Sequence, residues 1–434
     1  MNVRTILLLS TILLARSYGQ HWKSASPTPI PVRAGNTASY VSGDTAFLFI
    51  VSGRSLNDLL TSAVQRYSVS EDRWTTVAAH PTGLLGGATA VLKDSLYVIG
   101  GVIDPPGSGT STVWRYNIRE NVWSTAQPLP LNHGDAKAVS YQDSLIYIAG
   151  GFSGSSPAVV LVYNARTDRW RYATGIPSAS QLNFGGFSIA GDTLVYIGGT
   201  DYFFSPTYYK DVHIGVIDQN DRSKIVWTRG ASYPGATRTF FDANRWQNGI
   251  IMTGGSTNNT FTTRSDEQYH FDVGRNVWTK LPNKPTAWLT GQSASVRRSN
   301  GEWLHICASG YGAAGYLSST EIFSTALLSV KKNDAALRTF VSLDVYPNPF
   351  NPETTVRYSL NRRTTVEIII SDMMGREVYR TSPVEREAGS HAIRWNGMDE
   401  SGTGLASGVY LFTVRGSVES GGRMIATRRA VLVR

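Results

Sequence analysis

Short apolar runs that end in glycine recur along the first three quarters of the chain. The clearest copies are residues 94–101, 143–151 and 192–199, and looser copies are residues 46–53, 249–255 and 303–310. An uninterrupted apolar run of this length predicts a strand that is buried on both faces. Glycine at its end permits a sharp turn and a close approach by another backbone, because it has no Cβ. The final glycines follow one another at intervals of 48 to 56 residues, so the pattern predicts six copies of one β unit.

A second marker lies between these runs: an aromatic residue followed seven positions later by tryptophan. The pairs are Tyr67 and Trp74, Tyr116 and Trp123, Tyr163 and Trp170, and Phe271 and Trp278. The fourth copy keeps Trp227 without an aromatic partner and carries an insertion around residues 219–224. This arrangement, at a period of about 50 residues, resembles the kelch repeat, in which each copy is one four-stranded propeller blade. The resemblance covers residues 21 to about 325; a β-sandwich with chance glycine pairs is the alternative.

The two ends of this region predict how the ring closes. After Gly310 comes a third strand, residues 319–323, but no tryptophan follows it. The unused tryptophan is Trp22, which stands 31 residues before Gly53, as the other tryptophans stand 27 to 32 residues before their glycines. We therefore expect the N-terminal segment to be the outer strand of the last blade, which removes exposed strand edges. The sequence predicts a six-bladed propeller over residues 20–328.

Residues 1–19 have the pattern of a signal peptide. Arg4 supplies a positive start, residues 6–15 a short apolar core, and residues 17–19 a cleavage site with small residues. The apolar core is too short to span a membrane, and no later stretch is long enough, so no transmembrane segment is expected. The single cysteine, Cys307, excludes an internal disulfide framework. The net charge of +9 is diffuse and has no nucleic-acid-binding pattern, so no nucleic acid partner is expected.

The C-terminal part of the chain differs in composition. After a predicted linker at residues 329–342, residues 343–434 contain twelve arginines and no lysine. Alternating strand patterns predict a small antiparallel sandwich of about seven strands, and the segment 347–352 is rich in proline and asparagine. The all-β fold class is therefore a six-bladed kelch-like propeller followed by an immunoglobulin-like β-sandwich.

The order of motifs in this tail resembles the type A sorting domain of the type IX secretion system, an immunoglobulin-like module related to the flagellar hook-capping protein. An ordinary immunoglobulin-like module is the alternative. The resemblance implies a Bacteroidetes-like cell and delivery, through the periplasm, to the outer-membrane surface or the medium. It also implies contact with the secretion machinery and possible cleavage and attachment to surface lipopolysaccharide. The residues that carry the sorting motif are Pro347, Asn348, Pro349, Phe350, Asn351, Pro352, Gly408 and Tyr410.

Candidate ligand-binding residues lie in the loops that a propeller presents at one mouth of its channel. They are Arg33, Arg54, His133, Asp135, Asp201, Tyr202, Arg238 and Trp288. The loop at residues 201–211 is notable because it holds five aromatic residues, which could stack on sugar rings or anchor a protein. Alternatively, these aromatics pack on their own blade.

No catalytic, metal-binding or cofactor-binding motif is evident. The seven histidines are scattered, and no pair has a metal-ligand spacing with a third ligand nearby. The sequence therefore predicts no metal and no cofactor, and it favours a binding module for a glycan or protein over an enzyme. One alternative is a carbohydrate-active enzyme similar to kelch sialate mutarotases, with Arg33, His133, Asp135 and Arg238 in one pocket. Another is a structural or adhesive scaffold.

Overall fold

The computed structural model describes residues 18–103, 109–152, 159–178, 182–201, 206–258, 262–327, 340–360, 362–373, 375–417 and 423–434. Residues 1–17 of the predicted signal peptide and residues 329–339 of the predicted linker lie outside this description. The chain divides into two compact units, with the boundary after Leu327. None of the helical segments described has the length and apolar character needed to cross a membrane.

The first unit contains six antiparallel sheets of four strands among the described residues. In chain order, the described strands of the first unit are β1 (Tyr18–Ala25), β2 (Asn36–Ser42), β3 (Thr45–Val51), β4 (Val64–Ser68), β5 (Arg73–Val77), β6 (Ala88–Leu92), β7 (Ser95–Ile99), β8 (Val113–Asn117), β9 (Val122–Ala126), β10 (Lys137–Tyr141), β11 (Leu145–Ala149), β12 (Val160–Asn164), β13 (Arg169–Tyr172), β14 (Gly186–Ala190), β15 (Thr193–Thr200), β16 (Tyr208–Ile217), β17 (Ile225–Gly230), β18 (Asp242–Trp246), β19 (Gly249–Thr253), β20 (Gln268–Asp272), β21 (Val277–Leu281), β22 (Gln292–Arg297), β23 (Trp303–Ala308), β24 (Tyr311–Gly312), β25 (Gly315–Tyr316) and β26 (Thr320–Leu327). A 3-10 turn spans Leu56–Asp58, and β24 and β25 form a small separate hairpin.

Blades 1 to 5 each use four consecutive strands, from β2–β5 to β18–β21. The first strands of neighbouring blades contact one another in a closed circle, β2 to β6, β10, β14, β18, β22 and back to β2, so they surround the central axis. The second strands are the apolar runs that the sequence marks; all five residues of β11 are buried. This arrangement confirms the predicted six-bladed architecture.

Blade 6 joins the two ends of the propeller. Its sheet has the order β1-β26-β23-β22, so the first described strand lies beside the last strand of the unit. Trp22 in β1 lies opposite Phe323 in β26, as Trp74 lies opposite Tyr67 in blade 1. Since β1 occupies the outer position, the ring has no gap between blade 6 and blade 1.

Each repeated tryptophan connects its blade to the preceding one. The indole N–H donates to the backbone carbonyl of a residue that leaves the preceding blade. The six pairs are Trp22 to Pro282 (3.2 Å), Trp74 to Ser26 (2.9 Å), Trp123 to Ala78 (3.0 Å), Trp170 to Gln127 (2.8 Å), Trp227 to Thr174 (2.9 Å) and Trp278 to Ala231 (2.8 Å). We call this contact the blade latch.

In four blades, the backbone N–H of the residue whose carbonyl accepts the indole bond also has a partner, a side-chain oxygen of the tryptophan's own blade. The acceptors are the side chains of Asp72, Asn121, Asp168 and Asn276. Blade 4 has lost this acceptor, and the N–H of Thr174 donates instead to the carbonyl of Ser223 in the insertion (2.9 Å). Blade 6 needs no acceptor, because its partner Pro282 has no N–H. The Asp or Asn two positions before the tryptophan and the insertion of blade 4 therefore satisfy the same backbone N–H in different ways.

The second unit is a sandwich of two sheets. Its strands are β27 (Phe340–Tyr346), β28 (Thr354–Leu360), β29 (Thr364–Asp372), β30 (Glu377–Arg380), β31 (Val384–Arg386), β32 (Gly389–Trp395), β33 (Gly408–Ser417) and β34 (Arg423–Leu432). One sheet has the order β27-β28-β32, and the other has β30-β29-β33-β34 with β31 on β29. Val356 and Trp395 from the first sheet pack with Phe412 and Leu432 from the second. The predicted sandwich is present, with eight described strands.

We expect Trp123→Phe to lower the free energy of unfolding of the propeller by about 1–3 kcal/mol, because the carbonyl of Ala78 loses its donor while most aromatic packing remains. Urea unfolding followed by far-UV circular dichroism measures the change. The matched control is Trp114→Phe in the same blade; the described residues supply no hydrogen-bond acceptor for the Trp114 indole. An equal loss in both variants would contradict the latch.

Candidate functional site

Six residues, one before the first strand of each blade, form a ring at one end of the central channel. Each has a left-handed backbone: Ala34 (φ 51°), Gly86 (61°), Asp135 (54°), Phe184 (55°), Phe240 (55°) and Thr290 (47°). Such a backbone is unfavourable for residues other than glycine and persists where the surroundings enforce it. All six residues line a cavity of about 130 Å³ at the channel axis. We call them the mouth ring.

Backbone hydrogen bonds between blades hold the mouth ring. The N–H groups of Ala34, Gly86, Asp135, Phe240 and Thr290 donate to the carbonyls of Thr290, Ala34, Gly86, Phe184 and Phe240, at 2.7 to 3.1 Å. Each bond joins one blade to its neighbour. The ring therefore fixes the positions of the side chains at the mouth.

The identities of the ring residues give the mouth two different sides. Phe184 and Phe240, on blades 4 and 5, pack together with ring centroids 4.5 Å apart. The residues on blades 6, 1 and 2 are the small Thr290, Ala34 and Gly86. The cavity therefore has an aromatic wall on one side and open space on the other, with Asp135 of blade 3 between them.

The polar lining of the cavity is centred on two carboxylates and one ammonium group. Lys137 Nζ lies 3.9 Å from Asp242 Oδ1. Ser293 Oγ donates to Asp242 Oδ2 (2.8 Å), and Asn244 Nδ2 donates to Ser293 Oγ (2.8 Å). Burial raises the pKa of Asp242, although Lys137 and the hydrogen bonds from Ser293 oppose this shift. Asp242 is thus tied into a network.

Asp135 has a different environment. Among the described residues, no side chain or backbone group donates a hydrogen bond to its carboxylate, whose Oδ1 lies over the Cα of Gly86. Burial raises the pKa of Asp135 to about 6, and the charge of Lys137 opposes this shift only in part. A carboxyl group with this pKa exchanges its proton near neutral pH and can accept hydrogen bonds from a ligand.

Arg238 does not line this cavity. Its side chain is 1% exposed; it forms an ion pair with Glu267 and donates to Ser265 Oγ (2.9 Å) and to the carbonyl of Gly254 (3.3 Å). The guanidinium group also lies 5.7 Å from the ring centroid of Tyr269. These bonds hold the Arg238 side chain inside blade 5.

His133 and Trp288 are also buried beneath the mouth loops. His133 Nε2 lies 2.7 Å from the carbonyl oxygen of Gly150, and burial lowers the pKa of His133. Trp288 lies against Gly254 and Gly291, where a Cβ on either glycine would collide with the indole. Neither side chain faces the cavity, because neither belongs to its lining.

Arg33 and Arg54 belong to a separate surface cluster. Arg33 donates two hydrogen bonds to Asp58 Oδ1 (2.6 and 3.1 Å), Arg54 donates to the Asp58 carbonyl (2.6 Å), and the Tyr316 hydroxyl donates to the Asp58 carboxylate (2.9 Å). Burial opposes ionisation of Asp58, but these hydrogen bonds and the two arginine charges lower its pKa overall. The cluster joins blade 1 to blade 6.

The fourth-blade loop is described in part. Asp201 accepts hydrogen bonds from the N–H of Thr207 (2.7 Å) and the hydroxyl of Tyr209 (3.3 Å), so its carboxylate holds the base of the loop. Tyr202 lies outside the described residues. Of the seven sequence candidates that lie within the described residues, Asp135 is the one that lines the cavity.

Sequence reasoning missed Asp242, Asn244, Ser293, Phe184 and Phe240. A signal was available: in blades 2 to 5 the mouth-ring residue stands 15 or 16 positions before the last glycine of the repeat. Alignment of the repeats of blades 2 to 5 on that glycine places their mouth-ring residues within one position of each other. Among the described residues, no cluster of three or more histidine, cysteine or acidic side chains could hold a metal ion.

In the second unit, the predicted sorting motif is partly structural. Phe350 is 2% exposed and packs against Trp395 and Phe412, and Tyr410 is buried with its hydroxyl on the carbonyl of Ala406 (2.9 Å). Asn348 accepts the N–H of Val431 (2.9 Å), and Gly408 begins β33. The exposed members are Pro347, Asn348, Pro349, Asn351 and Pro352.

Comparisons with known families agree with the two units. The Kelch motif matches residues 84–130 and 136–175, and the FlgD Ig-like domain matches residues 351–420. Kelch-like protein 36 of Mus musculus is 28% identical over 277 residues, which are 62% of this chain and 43% of that protein. Kelch-like protein 15 of Homo sapiens is 25% identical over 177 residues, or 36% of this chain and 29% of that protein. The chain thus spans less than half the length of these relatives.

A solved structure of YjhT has the same propeller fold. It aligns with a TM-score of 0.55 and 18% sequence identity, over 68% of this chain and 95% of YjhT. This likeness concerns the fold alone.

The pKa of Asp135 makes a prediction about stability. Because its folded-state pKa of about 6 exceeds the ordinary value of about 3.9, the folded chain keeps a proton that the unfolded chain releases between about pH 4 and pH 6. The free energy of unfolding should therefore fall as the pH rises through this window. Asp135→Asn should remove this fall and be more stable than the native chain above about pH 6, by about 1–2 kcal/mol because the group is partly exposed. Below about pH 4 the two chains should be equally stable.

Chemical unfolding of the native chain and of Asp135→Asn, below about pH 4 and above about pH 6, measures this difference. The control is Asp143→Asn, an exposed aspartate of the same blade. If Asp135→Asn gave no pH-dependent gain, the carboxyl group would not be desolvated.

The first unit is thus a kelch-repeat β-propeller, and an immunoglobulin-like sandwich follows it.

Proposed function

We propose that this chain is an exported binding module whose propeller holds one saccharide ring at the mouth of the central channel. The observation that carries the proposal is the cavity inside the mouth ring, where the carboxylate of Asp135 has no described hydrogen-bond donor. A partly desolvated carboxylate without a hydrogen-bond partner is costly. A ligand that donates hydroxyl groups would satisfy it.

The size of the cavity favours a single ring. Its volume of about 130 Å³ is close to the ~150 Å³ of a protein cavity that accommodates benzene. A protein segment would need a larger contact area, since specific protein interfaces bury about 800 Å² on each partner. The mouth therefore fits one six-membered ring better than a protein surface.

The chemistry of the walls favours a neutral, hydroxylated ring. Asp135 and Asp242 accept hydrogen bonds, Lys137 and Asn244 donate them, and Phe184 and Phe240 offer an apolar face for the C–H groups of a sugar. Two carboxylates face one ammonium group, so the charge balance does not favour an acidic sugar. An open, polar cavity also fits a binding module better than a mere scaffold.

Asp135→Asn and Asp242→Asn should each weaken saccharide binding by about tenfold or more, because each removes a charged acceptor of hydroxyl hydrogen bonds. A glycan array with the full chain identifies the sugar, and isothermal titration calorimetry gives the dissociation constants. Asp143→Asn, outside the cavity, should bind as the native chain does. If no neutral sugar bound, or if Asp135→Asn bound normally, the proposal would fail.

A carbohydrate-active enzyme similar to sialate mutarotases is the second candidate. It is favoured by one observation: Asp135, with a pKa of about 6, is suited to moving a proton near neutral pH. Neither candidate arginine for the sugar carboxylate lines the cavity. Arg238 pairs with Glu267, and Arg33 pairs with Asp58. Faster interconversion of sialic acid anomers, followed by NMR in the presence of the chain, would favour the enzyme over the binding module.

We further propose that residues 1–19 direct export and that residues 343–434 act as a type IX sorting domain. The FlgD Ig-like match and the order of the tail motifs support this assignment. In this proposal the exposed prolines of residues 347–352 contact the secretion machinery, and the protein reaches the cell surface, with attachment to lipopolysaccharide after cleavage.

Removal of residues 344–434 should leave the propeller in the periplasm of a host that has this secretion system. Surface protease digestion of intact cells and blotting of periplasmic fractions measure the distribution. A periplasmic reporter fused to residues 343–434 should reach the surface, and the same reporter without the tail should not. Surface delivery of the truncated chain would contradict the sorting role.

A further inference from the structure

A second hollow lies on the outer strands of blade 3, separate from the mouth. It has a volume of about 770 Å³ and shares no lining residue with the channel cavity. Four arginines line it: Arg166, Arg169, Arg171 and Arg222. We call it the arginine groove.

Strand geometry places two of these arginines side by side. Arg169 and Arg171 alternate along β13, so they share one face of the blade. Their partners across the sheet are Asn164 and Val162, which also line the groove. Arg166 follows in the turn between β12 and β13.

The insertion of blade 4 forms the opposite wall and is firmly anchored. Tyr147 of blade 3 donates its hydroxyl hydrogen to the carbonyl of Arg222 (2.6 Å). Asp218 Oδ1 accepts the N–H groups of Asn220 and Asp221 (both 2.8 Å), and the carbonyl of Ser223 accepts the N–H of Thr174. The groove therefore exists where the repeat departs from its pattern.

The arginines of blade 3 lie beyond ion-pair distance of the described carboxylates, although the charges of Arg169 and Arg171 help to lower the pKa values of Asp168 and Asp221. Within the described residues, Arg166, Arg169 and Arg171 form no ion pair. Asp221, the one carboxylate in the lining, accepts the hydroxyl hydrogen of Ser223 (2.7 Å) and lies 3.8 Å from Lys224.

The corresponding arginines of other blades are paired. Arg73, which precedes Trp74 as Arg169 precedes Trp170, lies 3.1 Å from Glu71. Arg119, which follows Tyr116 by three positions as Arg166 follows Tyr163, lies 3.0 Å from Asp94. Unpaired charge at these positions is thus a property of blade 3 and not of the repeat.

We propose that the arginine groove binds an acidic oligosaccharide, one that carries sulfate, phosphate or carboxylate groups. Arginine presents paired donors that match the oxygens of such groups. The remaining lining supplies neutral donors and acceptors for hydroxyl groups: Gln142, Ser144, Asn164, Thr167, Asn220 and Ser223. The volume lies within the range of about 300–1,000 Å³ for small-molecule sites.

A single-stranded nucleic acid fits the groove less well. Such ligands need aromatic faces on which bases stack. Among the described residues of the lining, Trp170 is the one aromatic. It packs its ring on Tyr163 with centroids 4.9 Å apart and donates its N–H to the carbonyl of Gln127.

The test uses the full chain and a heparin-derived hexasaccharide, with the desulfated hexasaccharide as its neutral counterpart. Calorimetry should show binding of the sulfated sugar that weakens as salt is added. Arg169→Gln and Arg171→Gln should each raise the dissociation constant about tenfold. Arg73→Gln and Arg119→Gln, at the corresponding positions of blades 1 and 2, should leave it unchanged.

The proposal would be overturned by no binding of the sulfated sugar, by equal binding of the desulfated sugar, or by equal binding of a single-stranded DNA of the same charge. Losses of equal size in the blade 1 and blade 2 variants would also do so, since they would indicate general charge attraction. Asp135→Asn should not affect this binding, so the groove and the channel mouth fail or succeed separately.

Discussion

A hydrogen bond from a tryptophan indole to the backbone carbonyl of the residue that leaves the preceding blade joins each blade to its neighbour, and the closed propeller depends on this contact. These carbonyls are half-buried or exposed, and a hydrogen bond of this kind contributes about 0.5–1.5 kcal/mol, so the six bonds together stabilise the ring. The blade latch supplies an indole N–H at every crossing, including the one from blade 5 to the N-terminal strand. Closure therefore uses the same bond as every other junction.

A second set of hydrogen bonds, between backbone groups of the mouth ring, joins the blades around the channel. The mouth ring joins blades through hydrogen bonds between residues with left-handed backbones. Five of the six positions carry a side chain, and these side chains are held toward the axis where six strands converge. This geometry desolvates Asp135 and places it near Lys137, so the site arises from the way the blades close and not from a flexible loop.

Much of the fold could be predicted from the sequence, because its signals are local and repeated. The apolar runs, the aromatic–tryptophan spacing and the position of Trp22 are periodic features, and the kelch architecture follows from them. The cavity could be predicted only in part. Spacing places Asp135 and Arg238 in equivalent loops, but the partner of each side chain comes from a different strand. Glu267, which pairs with Arg238, lies 29 residues further along the chain, and a single sequence does not indicate that contact.

The insertion of blade 4 is a second feature whose contacts a single sequence does not indicate. The sequence indicates that the aromatic partner of Trp227 is missing and that residues are added. The structure gives the reason, because the added residues replace the lost acceptor and also build a wall of the arginine groove. One departure from the repeat thus has both a structural and a chemical consequence.

We propose that closure of the ring holds a desolvated carboxyl group at the channel mouth for a hydroxylated ligand. The most direct test is NMR titration of the Asp135 side-chain carbon in selectively labelled protein, without and with the bound sugar. We expect a midpoint near pH 6 in the free protein and a shifted resonance when the sugar binds. A midpoint near the ordinary aspartate value of about 3.9, with no response to any sugar, would contradict it.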